Sequence, residues 1–160
     1  LTSAGAGAPP VFETPASATN TPAFQAYMNG SQLIGTASNT KLEMDAEVFD
    51  TDGKYNTSNY SFTPTVAGKY WVWGKFRFDE TSDIPSANIA LFKNGSIISK
   101  STEFTTNVTT KAIGIIVTLD NNDYLEIFAY QNSGGNVTVN GASSYPEQDS
   151  GTWGAYKLLI

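Results

Sequence analysis

The run "KYWVWGKFRF" at residues 69–78 constrains this chain more than any other stretch. Its period of two reads as a β-strand with side chains on opposite faces. Tyr70, Val72, Gly74 and Phe76 take one face, and Trp71, Trp73 and Lys75 take the other. One apolar face covers a core. A second face carrying two tryptophans must also be covered, whereas a lone sandwich leaves its outer face wet and polar. The run "YLEIFAY" at residues 124–130 raises the same problem, with Leu125, Ile127 and Ala129 on one face and Tyr124, Glu126, Phe128 and Tyr130 on the other. Apolar residues on both faces of a strand mean burial on both sides. A partner protomer, the chain's own loops or its N-terminal arm can each supply that cover.

The remaining pattern is also one of strands. "AFQAYM" at 23–28 is the first and "KLEMDAEVFD" at 41–50 the next. "ANIALFKNGSIISKS" is predicted to be a hairpin, because Asn94-Gly95 favours a two-residue turn. "KAIGIIVTLDNNDYLEIFAYQN" is predicted to be a second hairpin turning at residues 120–123. "NVTVNG" is a short strand and "TWGAYKLLI" closes the chain as another. Eight or more short strands, regularly spaced turns and no convincing helix predict an all-β sandwich or jelly roll. Residues 1–21 show neither period and are rich in Ala, Gly, Pro, Ser and Thr. They read as an extended arm or linker ahead of one domain at 22–160.

Charge and chemistry narrow the functions. The net charge is −6 with nine basic residues, and no window clusters them, which argues against nucleic acid. The apolar runs are too short to insert in a membrane as a helix. Cysteine and histidine are both absent. Thiol chemistry and His-based catalytic triads are therefore excluded, and zinc is disfavoured.

Several stretches in the expected order resemble the globular head of complement component C1q, within the tumour-necrosis-factor-like superfamily. They are "PAFQAY"; Phe49, Asp50, Tyr55, Asn56, Phe62, Pro64, Gly68 and Tyr70 within one segment; "IALFKNG"; "LDNNDYLEIFAYQ"; and "WGAYKLLI". Asn122 stands where the family usually has Gly, and Trp153 where it has Phe. The resemblance implies a jelly roll of about ten strands that assembles as a homotrimer. It places Trp71, Trp73, Tyr124, Glu126, Phe128 and Tyr130 at the trimer interface. Glu126 is then expected to pair with Lys75 or Arg77, to bind a cation, or to sit at a wet end. The arm "LTSAGAGAPPVFETP" resembles a segment common in bacteriophage tail-fibre and virion structural proteins, with Phe12 at a place usually held by Trp. That resemblance implies a virion location, with other virion or fibre proteins bound through the arm.

Asp50, Asp52 and Gly53 resemble the start of a calcium loop but lack its closing Glu, so a turn is expected. Asp120 and Asp123 flank a turn and are the other candidates for calcium; no cofactor is otherwise implied. Glu43, Asp45 and Glu47 share one face if 41–50 is a single strand, and would be the carboxylates of a surface-glycan hydrolase. The loops containing Tyr55 and Tyr145 are candidates for binding a host-surface glycan or protein, since exposed Tyr with flexible polar neighbours suits polar ligands. The sequence thus predicts a non-enzymatic trimeric head of a phage fibre or virion structural protein, serving attachment or fibre trimerisation. The alternatives are an extracellular complement-like lectin and the glycan hydrolase.

Overall fold

A computed structural model describes residues 19–79, 84–103, 110–142 and 150–159. These residues form thirteen strands and no helix. The strands make two antiparallel sheets facing each other across one core.

The first sheet contains β1 (Ala23–Tyr27), β2 (Gln32–Ile34), β4 (Ala46–Asp50), β7 (Gly68–Asp79), β10 (Thr110–Leu119), β12 (Val137–Val139) and β13 (Thr152–Lys157). Its order is β2-β12-β7-β13-β1-β4, with β10 also paired to β7. The second contains β3 (Thr40–Lys41), β5 (Tyr55–Asn56), β6 (Ser61–Phe62), β8 (Ala87–Lys93), β9 (Ser96–Glu103) and β11 (Leu125–Gln131). Its order is β5-β6-β11-β8-β9, with β3 on β11.

The alternation in the sequence sets what each sheet buries. Tyr70, Val72, Phe76 and Phe78 of β7 point inward and meet Leu125, Ile127 and Ala129 of β11 in one core. An aromatic cluster fills one part of that core. The Phe24 ring stacks on Tyr55 at 4.7 Å and on Phe62 at 4.5 Å, and meets the edge of Trp153 at 4.9 Å. Such stacked and edge-on pairs exceed the contribution of area burial alone.

Two expectations need correcting. Residues 41–50 do not form one strand. β3 joins the second sheet through β11 while β4 joins the first through β1, so the chain crosses the sandwich between them. Leu42 and Met44 are fully buried in that crossing, which produced the strand-like alternation. The second predicted hairpin is also a crossing. Asp123 does donate its N–H to the Asp120 carbonyl at 3.1 Å, so the turn exists. β10, however, pairs with β7, and β11 pairs with β8 in the other sheet. The Asn94-Gly95 hairpin between β8 and β9 does form, with φ of 52° and 78° at its two central residues.

Candidate functional site

β7 and β11 lie in opposite sheets, and both turn their aliphatic faces to the shared core. Their outer faces therefore point in opposite directions. Trp71 and Trp73 lie on the outside of the first sheet, and Tyr124, Glu126, Phe128 and Tyr130 on the outside of the second. The six residues do not form one patch. Each face has its own chemistry.

The middle of the first sheet's outer face is apolar, with Lys75 and Arg77 further along β7 on the same side. Register aligns Ile116, Trp71, Tyr156 and Ala23 in one row across β10, β7, β13 and β1. Gly114, Trp73, Gly154, Gln25 and Phe49 form the next row, which reaches β4. The tryptophans lie against the glycines beside them. A Cβ built on Gly114 would sit 3.0 Å from the Trp71 ring, and one on Gly154 would sit 3.1 Å from the Trp73 ring. That contact leaves both indoles half-buried on an outer face. The rest of the face stays open: Ile116 is 55% exposed, Phe49 46% and Tyr156 37%. Ile116 and Tyr156 were not singled out from the sequence, and Phe49 only as part of the family motif. The unbroken "GIIV" run hides which isoleucine faces outward, and only the pairing with Trp71 reveals it.

The second sheet's outer face is more polar. Glu126 pairs with Lys41 at 2.5 Å rather than with Lys75 or Arg77, which belong to β7 in the first sheet. Lys41 also donates to the Asn59 carbonyl at 3.2 Å. Tyr124 joins this pair, with Asn59, Ser61 and Thr63, in lining a cleft of about 290 Å³. The Phe128 ring packs on Phe92 with centroids 4.0 Å apart. Tyr130 lies further along, on a second groove.

Tyr55 is not available as a ligand-binding side chain. It is 6% exposed, its ring belongs to the aromatic core, and its hydroxyl donates to the Met44 carbonyl at 2.7 Å. Burial pushes that hydroxyl's pKa up. Its loop still lines an open polar cleft of about 510 Å³, with Lys54, Asn56, Thr57 and Asn59 among the lining residues. Tyr145 lies outside the described residues, as does the N-terminal arm through residue 18.

The candidate carboxylates have ordinary structural partners. The two Asp50 oxygens accept from the backbone N–H of Asp52 at 3.2 Å and of Tyr55 at 2.7 Å, as in a side-chain-capped turn. Asp123 accepts from the Asp120 N–H at 2.7 Å and the Asn94 amide at 2.6 Å, and pairs with Lys93 at 2.7 Å. These donors, led by the Asp120 N–H, lower its pKa to about 2. Glu43 and Asp45 do not share a strand face with Glu47, because they belong to the crossing segment and Glu47 to β4. Asp45 accepts from the Asn29 N–H at 2.8 Å. Among the described residues, no three acidic side chains come together as a metal site.

No family model matches the sequence, and no curated protein matches it. Solved structures do match the fold. The globular domain of zebrafish complement 1qA is similar with a TM-score of 0.61 at 12% identity, over 87% of this chain and 98% of that one. The Eiger TNF of S. frugiperda is similar with a TM-score of 0.60 at 9% identity, over 86% of this chain and 92% of that one. Two antiparallel sheets, a core shared between β7 and β11, and near-complete overlap with both structures identify the fold of this chain as the C1q/TNF-like jelly roll.

Proposed function

We propose that the chain is a non-enzymatic trimeric head, carried on a phage fibre or a related virion protein, that registers the fibre and contacts the host surface. The observation that carries the reading is the apolar outer face of the first sheet. Trp71, Ile116, Tyr156, Trp73 and Phe49 line two adjacent rows there, with large residues well exposed in the isolated chain. An exposed apolar face of this kind marks an interface, and interface cores are enriched in aromatics. A threefold contact is heterologous, so this face would meet a different surface of the next protomer. The C1q/TNF-like fold and its habitual trimer support the same arrangement. The fibre context rests on the resemblance of residues 1–15 to phage tail-fibre segments. Three copies per head and several heads per particle would turn weak surface contacts into avidity.

The test is the solution mass of the chain, by light scattering behind a sizing column, with Trp71→Ser alongside. The expected result is a wild-type mass three times that of the chain, reduced to one in the variant. A wild type that stays monomeric at high concentration would overturn the assembly and the avidity built on it.

A further inference from the structure

The second sheet holds a feature of its own. Asn88 lies on the outer side of β8, directly opposite Tyr130 of β11 and Thr102 of β9. It is 8% exposed, yet its Oδ1 is buried with no hydrogen-bond partner among the described residues. Buried amides are normally satisfied, and an exception calls for an explanation. Asn88 also lines a groove of about 360 Å³ with Tyr130, Thr102, Lys100, Ser86 and Asn39. The lining contains one cation and no carboxylate, on a chain whose net charge is −6.

We propose that this groove binds a saccharide residue, one of whose hydroxyls donates to the Asn88 side-chain carbonyl. The chemistry fits part by part. Rotation of the terminal amide torsion is soft, so Asn88 can present its acceptor to the groove. Tyr130 offers a partly exposed ring for the apolar face of a pyranose. Thr102, Ser86 and Asn39 supply the short polar side chains that fix hydroxyls. Lys100 adds a charge that favours a sugar bearing a carboxylate. A purely apolar ligand would leave the Asn88 carbonyl unsatisfied. The assignment deepens the attachment part of the function proposed above. It does not rest on trimer formation, because every residue that lines the groove belongs to one protomer.

The experiment is saturation-transfer NMR on the full chain with four probes: galactose, N-acetylglucosamine, glucuronic acid and N-acetylneuraminic acid. Transfer to at least one sugar is expected, stronger for the acidic pair, with that preference lost in Lys100→Ser. Asn88→Leu, close in shape and without the stranded acceptor, is expected to lose transfer while its Tm equals or exceeds that of the wild type. Tyr130→Ala must lose transfer as well, and carries the test if Asn88→Leu does not fold. No transfer from any of the four sugars, or transfer retained in the folded variants, overturns the proposal. Solution mass is read separately, so a monomer that still binds sugar refutes the trimer and leaves the groove standing.

Discussion

Replacing Ile116 with serine separates assembly from folding more cleanly than replacing a tryptophan. Trp71 lies over Gly114, so removing it disturbs the sheet itself. Ile116 sits beside Trp71 on the same face but is 55% exposed, so the isolated protomer gains little from it. Burying a whole isoleucine side chain stabilises by about 1.5–3 kcal/mol, so covering the exposed 55% in an interface contributes about 1 kcal/mol per protomer. Three copies contribute roughly 3–4 kcal/mol per trimer, a hundred- to thousandfold in the overall dissociation constant. The assay is light scattering across a dilution series, with thermal unfolding of the dilute protomer as the control. Ile116→Ser is expected to shift the dissociation midpoint to higher concentration and to leave the protomer's Tm within a degree or two, as befits an exposed site. Wild-type and variant midpoints that coincide would refute the assignment of this face. A large fall in protomer Tm would instead mean that Ile116 is packed within its own chain.

The other predictions concern the fold that positions both faces. Gln131 is fully buried and uses its amide three times, donating to Ile34 O at 3.1 Å and Gly135 O at 2.8 Å and accepting from Ser133 N–H at 2.7 Å. Gln131→Met strands those partners and is expected to cost about 2–4 kcal/mol in urea unfolding, the sum of several unmet buried groups. A Cβ on Gly141 would stand 2.0 Å from the Gly30 backbone, so Gly141→Ala should destabilise markedly or fail to fold, read by circular dichroism. Tyr55→Phe removes a hydroxyl that donates 2.7 Å to Met44 O, and should cost about 1–2 kcal/mol with the oligomeric state unchanged. Asp123 has its pKa depressed to about 2, so its contribution is present above the ordinary carboxylate value and fades as pH falls from about 4 towards 2. Thermal scans should therefore show the wild type losing stability over that window more steeply than Asp123→Asn, and parallel slopes would refute the role of the network.

The fold was legible because period-two patterning and turn chemistry are local. The inward set on β7 and the Asn94-Gly95 turn could both be read directly from the sequence. Sheet membership is not local, and both errors of topology come from that. Leu42 and Met44 alternate as in a strand, but do so while crossing the core. β10 and β11 are joined by a real turn, yet hydrogen-bond to different neighbours. For the same reason the sequence does not show that the six candidate interface residues fall on two opposite faces. Trp71 and Phe128 each stand on the outer face of a strand whose inner face is also apolar, and a sequence does not say whether two such faces point the same way. Tyr55 illustrates the converse error. A tyrosine between polar residues in a loop looks exposed, but its ring stacks on Phe24, which is distant in sequence.

Separating the faces changes how the molecule can work. Had the tryptophans and the β11 aromatics formed one patch, assembly would have consumed all the unusual surface on the sandwich. With the sheets opposed, the tryptophan face can associate while the second sheet stays open, provided the surface it meets on the next protomer lies elsewhere. The chemistry divides the same way: flat indoles, Ile116 and small residues on the first sheet, and an ion pair, polar clefts and a stranded amide on the second. Packing contributes as well, since Gly114 and Gly154 leave room for the Trp71 and Trp73 rings against the sheet. Exposed aromatic and aliphatic side chains suit protein contact, where close fit excludes water. Grooves with convergent polar groups suit a small ligand. A double variant in this arrangement, Ile116→Ser with Asn88→Leu, should lose assembly and sugar contact independently. Coupling between the two losses would mean that the threefold contact reaches round to the second sheet.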